Sequence, residues 1–227
     1  MTCGNLQQLA LDPPKDCSLC PRLAAFRADA RTKEPGWFNA PVPTFGASDA
    51  RLLVVGLAPG LRGANRTGRP FTGDYAGDLL YATLLKFGFA SGVYDRRPDD
   101  GLALEDCAIT NAVRCVPPQN KPLPEEIRTC RVFLEATLTY FAKLDVIIAL
   151  GRIAHDTVVR ACGARLAAHP FGHARQHRLE SPAGRHLTLF DSYHCSRYNT
   201  NTGVLTGEMF EAIFQAARNH IGIDVAG

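Results

Sequence analysis

Short apolar segments alternate with helical segments along most of the chain. Strands that are largely apolar are predicted at 51–56, 106–111 and 146–151. Such strands are typical of a sheet that is covered on both faces, and helices between them allow neighbouring strands to run parallel. The pattern therefore predicts an α/β fold, a three-layer α/β/α sandwich around a small, mainly parallel sheet.

The remaining segments predict a hairpin and four helices. Residues 174–179 and 185–191 are expected to form antiparallel strands, the second of which enters the main sheet. Helices are predicted over 78–87, over 124–144, from the third strand to about 162, and over about 203–220. Ligands bind beyond the carboxyl ends of parallel strands. We therefore expect functional residues in the loops 56–74, 111–122 and 193–203.

Length and composition are those of a globular domain. The chain has 227 residues, of which 46% are hydrophobic and 21% charged, which excludes disorder throughout. We expect one domain over 1–227, with an N-terminal segment of about 1–45 that contributes to a metal site. The sequence shows neither an apolar run of roughly 20 residues nor the pattern of a signal peptide. A soluble, cytoplasmic and monomeric protein is therefore expected, without a membrane partner.

Two pairs of cysteines have the spacing of metal ligands. Cys17 and Cys20 have two residues between them, and Cys115 and Cys130 have fourteen. A reducing compartment disfavours disulfides, and four thiolates in this arrangement fit a [4Fe–4S] cluster or a structural zinc. The wide spacing of the second pair favours the iron–sulfur cluster, because zinc sites tend to close two short pairs.

The other four cysteines do not extend this pattern. Cys107 lies in a predicted apolar strand, Cys162 on a helix and Cys3 near the N-terminus, so these three fit small buried residues. The sequence leaves the role of Cys195 open.

The loop 56–74 is rich in glycine and carries three arginines. Glycine permits close backbone approach to a ligand, and arginine suits phosphate. The loop matches neither a Walker sequence nor a dinucleotide fingerprint, so phosphate binding is only a general interpretation.

Arginine also dominates the positive charge of the whole chain. The net charge is only +3, which does not by itself indicate a nucleic-acid partner. However, 20 of the 25 cations are arginines. This excess fits either phosphate contacts or the codon usage of a GC-rich genome, and composition alone leaves both open.

Five segments match a known family along nearly the whole chain. They are CxxC-Pro-Arg at 17–22, GLAPGxxGxNRTGRPFTGD at 56–74, AVRCxPPxNKPxPEE at 112–126, ALGRIA at 149–154 and SYHxSxxNTxTGxLT at 192–206. Together they resemble the uracil-DNA glycosylase superfamily, specifically its fifth, type-B family of iron–sulfur enzymes. The resemblance implies a monofunctional DNA glycosylase that flips uracil out of DNA and hydrolyses the bond between base and sugar, which starts base excision repair. It also implies a [4Fe–4S] cluster and a wider range of deaminated bases, such as hypoxanthine.

The resemblance assigns catalytic roles to three residues. Asp74 is expected to orient the attacking water or to stabilise the positive charge on the sugar, the alternative being an N-cap for the following helix. His194 would donate a hydrogen bond to the departing uracil, the alternative being a purely structural histidine. Asn120 would assist at the pocket, although an asparagine that fixes the loop fits almost as well.

Four further residues are expected to contact the base. Ala58 stands where other families carry a carboxylate or an amide, and Gly60 follows it in the same loop. Phe71 would stack on the flipped base, or else pack in the core. Asn111 departs from the small residue usual in type B, and its amide matches the edge of uracil, so we hypothesise a preference for uracil over hypoxanthine.

Several side chains in the three loops are expected to contact DNA. Arg197 and Tyr198 are candidates for a wedge that fills the vacated stack, and Ser196 precedes them. The arginines in or beside the loops are Arg62, Arg66, Arg69, Arg114, Arg128 and Arg197.

Two other functions compete with this interpretation. Ala58 lacks the usual polar group, which would suit a protein that binds damaged bases in DNA without hydrolysing them. The glycine-rich loop alone would suit a zinc-containing hydrolase of free nucleotides.

Overall fold

A six-stranded sheet forms the centre of the computed structural model, which describes residues 11–222. The strand order is β1-β5-β2-β6-β8-β7. The six strands are β1 (Phe45–Gly46), β2 (Leu52–Gly56), β5 (Cys107–Asn111), β6 (Val146–Leu150), β7 (Gln176–Glu180) and β8 (His186–Ser192). The short strands β3 (Ala90–Ser91) and β4 (Ala103–Leu104) pair separately. The helices are α1 (Pro21–Lys33), α2 (Ala64–Thr67), α3 (Tyr75–Lys86), α4 (Pro124–Tyr140), α5 (Arg152–Ala161), α6 (Arg197–Asn201) and α7 (Gly207–Ile221).

The four inner strands run parallel, and the two edge strands are antiparallel to their neighbours. Strands β7 and β8 form the predicted hairpin, whose turn is closed by the Ser181 N–H donating to the Arg185 carbonyl at 2.8 Å. β8 then pairs with β6, as expected. The predicted α/β fold is confirmed.

Alternate residues of the inner strands pack on opposite helical layers. In β2, Leu52 and Val54 belong to a core shared with α3 and α7. Leu53 and Val55 belong to a second core shared with α4 and α5. This alternation explains why the strands are apolar on both faces.

Three predicted helix boundaries were wrong, and local backbone geometry explains the last two. α3 begins at Tyr75 rather than at 78, directly after the glycine-rich loop. α4 ends at Tyr140 because Phe141 leaves the helical region at ψ 86°. The last helix, predicted over about 203–220, begins at Gly207 because Gly203 has φ +71° and Thr206 caps α7 by accepting a hydrogen bond from the Met209 N–H. The short helix α6, which precedes it, was not predicted.

The N-terminal helix packs on a small third core of its own. Leu23 of α1 meets Val113, Cys115, Cys130 and Phe133 there. The extent of the single domain stays a prediction, and its ends at 1–10 and 223–227, with Cys3, lie outside the described residues. No helix among the described residues is both long and apolar enough to span a bilayer.

Candidate active site

The three predicted loops meet around one cavity of about 350 Å³. Strand register explains this, because Gly56 of β2 pairs with Asn111 of β5, and Leu150 of β6 pairs with Ser192 of β8. The strands therefore end at one edge of the sheet. The predicted residues that line the cavity are Ala58, Gly60, Phe71, Asp74, Asn111, Asn120, His194, Ser196 and Arg197.

Asp74 directs its carboxylate into the glycine-rich loop rather than onto the helix that follows. It holds the N-cap position of α3, but among residues 11–222 its side chain makes no capping hydrogen bond. Burial raises the pKa of Asp74, partly opposed by hydrogen bonds from the backbone of Ala64 and Gly60 and by the charge of Arg66. A Cβ at Gly60 would lie 2.6 Å from Oδ1, and one at Gly63 would overlap the carboxyl group. Both glycines therefore make room for this carboxylate.

His194 lies beside Phe71 in the cavity wall. The two ring centroids are 6.2 Å apart, and the ring planes differ by 29°. Burial lowers the pKa of His194 to about 4, so the ring is neutral near pH 7 and carries one N–H donor. The carbonyl of His194 accepts a hydrogen bond from Nδ2 of Asn199 at 2.8 Å, which fixes the loop.

Phe71 has a backbone conformation that is uncommon for a bulky residue. Its φ is +57°, in the left-handed region. A Cβ at Gly56 would lie 2.5 Å from the Phe71 ring, and one at Gly77 would overlap the Phe71 carbonyl. Two glycines thus let the buried ring lie against the end of β2, at the base of the cavity.

Two asparagines and an alanine complete the wall. Asn111 is buried at the end of β5, and its Oδ1 lies close to Gly56. Asn120 is exposed, and both it and Gln119 have positive φ, at +57° and +55°. Ala58 lines the cavity and also packs against the third core. The cavity wall is therefore continuous with the cysteine region.

Other residues of the predicted DNA surface have exposed side chains in or beside the three loops. Arg62 and Arg66 are exposed, as is Arg128 at α4. The Arg197 guanidinium lies 4.9 Å from the centroid of the Tyr75 ring. Tyr198 is 73% exposed. Ser196 caps α6, because its hydroxyl accepts a hydrogen bond from the backbone of the third helical residue.

Two arginines expected at the DNA surface are buried instead. Both terminal nitrogens of Arg69 bind Asp100, at 2.8 and 2.7 Å, and its Nε donates to Thr72. Arg114 is 1% exposed and binds Asp12 at 2.7 Å. The interpretation of Arg69 and Arg114 as DNA contacts was wrong, since buried guanidinium groups paired to carboxylates are not available to phosphate.

This difference predicts opposite results for two arginines of the same loop. Arg66→Gln should weaken DNA binding and lower the slope of log affinity against log salt by about 1, because the phosphate contact expected of Arg66 would be lost. Arg69→Gln should leave that slope unchanged and lower the free energy of unfolding by about 3–5 kcal/mol, because Asp100 loses its buried partner. Fluorescence anisotropy at several salt concentrations and urea unfolding would measure both effects. Equal salt slopes for wild type and Arg66→Gln would contradict this assignment.

The four predicted metal ligands come together where α1 meets α4 and the loop after β5. Cys115 and Cys130 are buried in the third core, and Cys20 packs against them. Burial raises the pKa of Cys20 to about 11, with further increases from Cys115 and Cys17. Burial also raises the pKa of Cys130 to about 12, and Cys115 and Cys20 add to it. The four sulfurs are thus close enough to interact electrostatically.

Two hydrogen-bond donors reach these sulfurs. Nη1 of Arg27 lies 2.9 Å from Cys115 Sγ, and the Arg114 N–H lies 3.3 Å from Cys130 Sγ. Donors to sulfur favour thiolate, the form that binds metal. The donor set therefore fits a thiolate-bound metal group. Cys195 and Cys107 are buried in the core shared with α3 and α7, and Cys162 packs against the second core.

A second titratable cluster supports the strand that leads to His194. Asp191 of β8 binds Nδ1 of His155 at 2.6 Å and Nε2 of His177 at 3.0 Å. Nε2 of His155 lies 2.8 Å from the His169 carbonyl. Burial lowers the pKa of His155, but the hydrogen bond and charge of Asp191, the His169 carbonyl and the charge of Asp156 together raise it by more. These contacts join α5, β7 and β8 just before the loop of the cavity.

Two residues, one in the cavity wall and one beside the cysteines, were not predicted from the sequence. Tyr75 lines the cavity at the start of α3, and its position directly after Asp74 was the available signal. Arg27 is buried on α1 with Leu23 and Ala30. A charged residue at helical spacing within an apolar stripe could have identified it.

The fold and the cavity define an α/β protein with a ligand site at the carboxyl edge of a parallel sheet. Residues 43–218 match the family model described as the uracil DNA glycosylase superfamily. The chain belongs to this superfamily.

Several curated relatives cover most of the chain. A protein of Thermus thermophilus named type-5 uracil-DNA glycosylase is 46% identical over 213 residues, which cover 91% of this chain and 94% of the relative. Proteins of the same name from Mycobacterium bovis and Pyrobaculum aerophilum are 39% and 36% identical. They cover 92% and 91% of this chain, and the matches span 79% and 90% of the relatives.

Proposed function

We propose that this protein is a monofunctional DNA glycosylase that removes uracil from DNA by hydrolysis and so starts base excision repair. The observation that carries the proposal is the single cavity that joins Phe71, Asp74 and His194. The names of the relatives that cover most of the chain support the same activity. We further propose that it acts on the DNA of the cell as a cytoplasmic monomer.

Breaking the bond between base and sugar creates two charges that the site must stabilise. The sugar gains positive charge and the departing uracil gains negative charge. Asp74, ionised, lies on the loop where it can stabilise the sugar or accept a proton from the attacking water. Backbone hydrogen bonds from Ala64 and Gly60 and the charge of Arg66 favour its ionised form against the effect of burial.

His194 is assigned to stabilise the negative charge on the departing base. Because the ring is neutral near pH 7, it donates one hydrogen bond to a uracil oxygen without carrying a net charge. A neutral donor can stabilise the departing anion without requiring protonation of the buried ring. Asn120, on the exposed side of the cavity, assists at the sugar or at the base.

Base selection is assigned to the cavity wall. Phe71 stacks on the flipped base, while the small residues Ala58 and Gly60 leave space beside it. Asn111 offers a donor and an acceptor from the end of β5, a pattern that matches the edge of uracil.

Asn111→Ala should change the preference between bases. We expect uracil excision to fall more than hypoxanthine excision, with the ratio of their kcat/KM values changing by about 10-fold or more, since a paired amide discriminates by hydrogen bonding. Single-turnover assays on matched oligonucleotides would give both rates. An unchanged ratio would contradict the role of Asn111.

We propose that Cys17, Cys20, Cys115 and Cys130 hold a [4Fe–4S] cluster. The buried thiols and the two donors to sulfur support a thiolate-bound group, and the wide spacing of the second pair favours iron–sulfur over zinc. When bound, the cluster links the N-terminal segment to the loop after β5. Hydrolysis of the glycosidic bond requires no redox step.

DNA binding is assigned to exposed side chains in and beside the three loops. Arg62, Arg66 and Arg128 are expected to contact phosphates, and Ser196 positions the short helix α6. Arg197 and Tyr198 lie at the start of that helix, where they can fill the space that the extruded base leaves.

A uracil-containing oligonucleotide tests the proposal against its main alternative. Glycosylase activity releases free uracil and leaves an alkali-labile abasic site. The alternative, favoured only by the apolar side chain of Ala58 in the cavity, is a protein that binds damaged bases without hydrolysis. Tight binding of the uracil duplex with no uracil released would support that alternative and overturn the proposal.

A further inference from the structure

Arg27 is a buried cation that touches both cysteine pairs. It is 3% exposed, and its Nη1 donates to Cys115 Sγ at 2.9 Å. Its Nη2 donates to the carbonyl of Cys17 at 2.7 Å. A single guanidinium therefore connects the N-terminal pair to the pair on the sheet side.

This guanidinium is incompletely satisfied by the protein. Among residues 11–222, the buried Nε of Arg27 has no hydrogen-bond partner. Two other arginines near the cysteine region bind carboxylates, Arg22 to Glu126 and Arg114 to Asp12, each at 2.7 Å. Unlike these two side chains, the side chain of Arg27 contacts a cysteine sulfur instead of a carboxylate. A buried charge and a buried N–H are both costly unless an anion or an acceptor accompanies them.

We propose that Arg27 is the charge-compensating donor of the metal cluster. Its guanidinium offsets negative charge of the four thiolates, and its unpartnered Nε–H is available to sulfur atoms of the bound cluster. The consequence is a higher reduction potential and slower loss of iron. This inference rests on the [4Fe–4S] cofactor proposed above.

The direction of the effect follows from charge. Adding an electron makes the cluster more negative, so a buried cation stabilises the reduced state more than the oxidised state. Hydrogen bonds to the sulfurs act in the same direction. Removing the cation should therefore lower the reduction potential.

Arg31 provides a matched control on the same helix. Its Nη1 binds Asp16 at 2.6 Å, and its Nη2 donates to the Lys15 carbonyl at 3.0 Å. It thus ties the same N-terminal segment to α1, while Arg27 alone of the two contacts a cysteine sulfur. A role limited to holding this segment would be shared by both arginines.

The test uses the full chain, purified without oxygen, as wild type, Arg27→Gln, Arg27→Lys and Arg31→Gln. The reduction potential is measured by dithionite titration with redox mediators, followed by visible absorbance. Iron release is measured with an excess of a ferrous chelator. Arg27→Gln should have a lower potential and release iron about 10- to 100-fold faster, as for other groups that contact metal ligands. Arg27→Lys keeps the charge but loses the planar fork, so its potential should stay near that of wild type while iron release is faster.

The outcomes separate this inference from the cofactor proposal. Wild-type protein without iron would overturn the cofactor and this inference with it. Wild type with iron, and Arg27→Gln equal to it in potential and iron release, would overturn only the role of Arg27. Equal shifts in Arg31→Gln would do the same. If Arg27→Gln cannot be isolated with iron, Arg27→Lys decides, and wild-type iron release in that variant would overturn the role.

Discussion

Asp74→Asn is expected to lower the rate of uracil release by about 10²- to 10⁴-fold, the range typical of a positioned acid–base group. Asparagine keeps the size of the side chain but cannot stabilise positive charge on the sugar or accept a proton from water. Binding of a uracil duplex should be little changed, because the loss concerns the transition state. Single-turnover excision and anisotropy binding would measure the two quantities.

Asp78→Asn is the matched control for this change. Asp78 lies one turn further along α3, and it binds the exposed Arg96 instead of facing the cavity. It should excise uracil at the wild-type rate.

The wild type should also lose activity as the pH falls through the raised pKa of Asp74, because only the ionised carboxylate acts. Full activity of Asp74→Asn would contradict the mechanism.

Cys130→Ala is expected to prevent binding of the proposed cluster and to destabilise the fold by several kcal/mol, on the order of the effects seen when a structural metal is lost. Cys130 lies on α4, and its sulfur joins that helix to the loop after β5. Without the metal, the link between α1, α4 and this loop is lost. Iron analysis, visible absorbance and urea unfolding would show the change.

Cys107→Ala controls for the loss of a buried sulfur. Cys107 is 1% exposed in β5, so the substitution removes a similar apolar group from a packed core. It should keep the wild-type iron content and cost less stability than Cys130→Ala. Full iron content in Cys130→Ala would contradict its assignment as a ligand.

The fold was predictable because apolar strands and intervening helices favour one architecture. The strand predicted at 146–151 and β6 (Val146–Leu150) differ by one residue, since a two-sided apolar strand has a clear signature. The start of α3 was harder to predict, because the preceding glycine-rich loop folds back on itself so that Gly60 and Gly63 make room for the Asp74 carboxylate. Tertiary contacts set such boundaries, and local sequence does not contain them.

The grouping of site residues was predictable from strand ends, but individual side-chain environments were not. Phe71, Asp74 and His194 share a cavity because parallel strands end at one edge. Arg69 and Arg66 look alike in sequence, but Arg69 is buried against aromatic rings and pairs with Asp100 on a distant segment. Arg27 was missed for the same reason, since its sulfur contact is 88 residues away in the chain.

The most direct test of the mechanism is a crystal structure of Asp74→Asn bound to a duplex with one uracil. We expect that uracil leaves the duplex and lies against the ring of Phe71. One of its oxygens should lie about 2.7–3.2 Å from a ring nitrogen of His194, and its sugar should face residue 74. Uracil that stays stacked in the duplex, or that occupies another surface of the protein, would overturn the roles proposed for Phe71, Asp74 and His194.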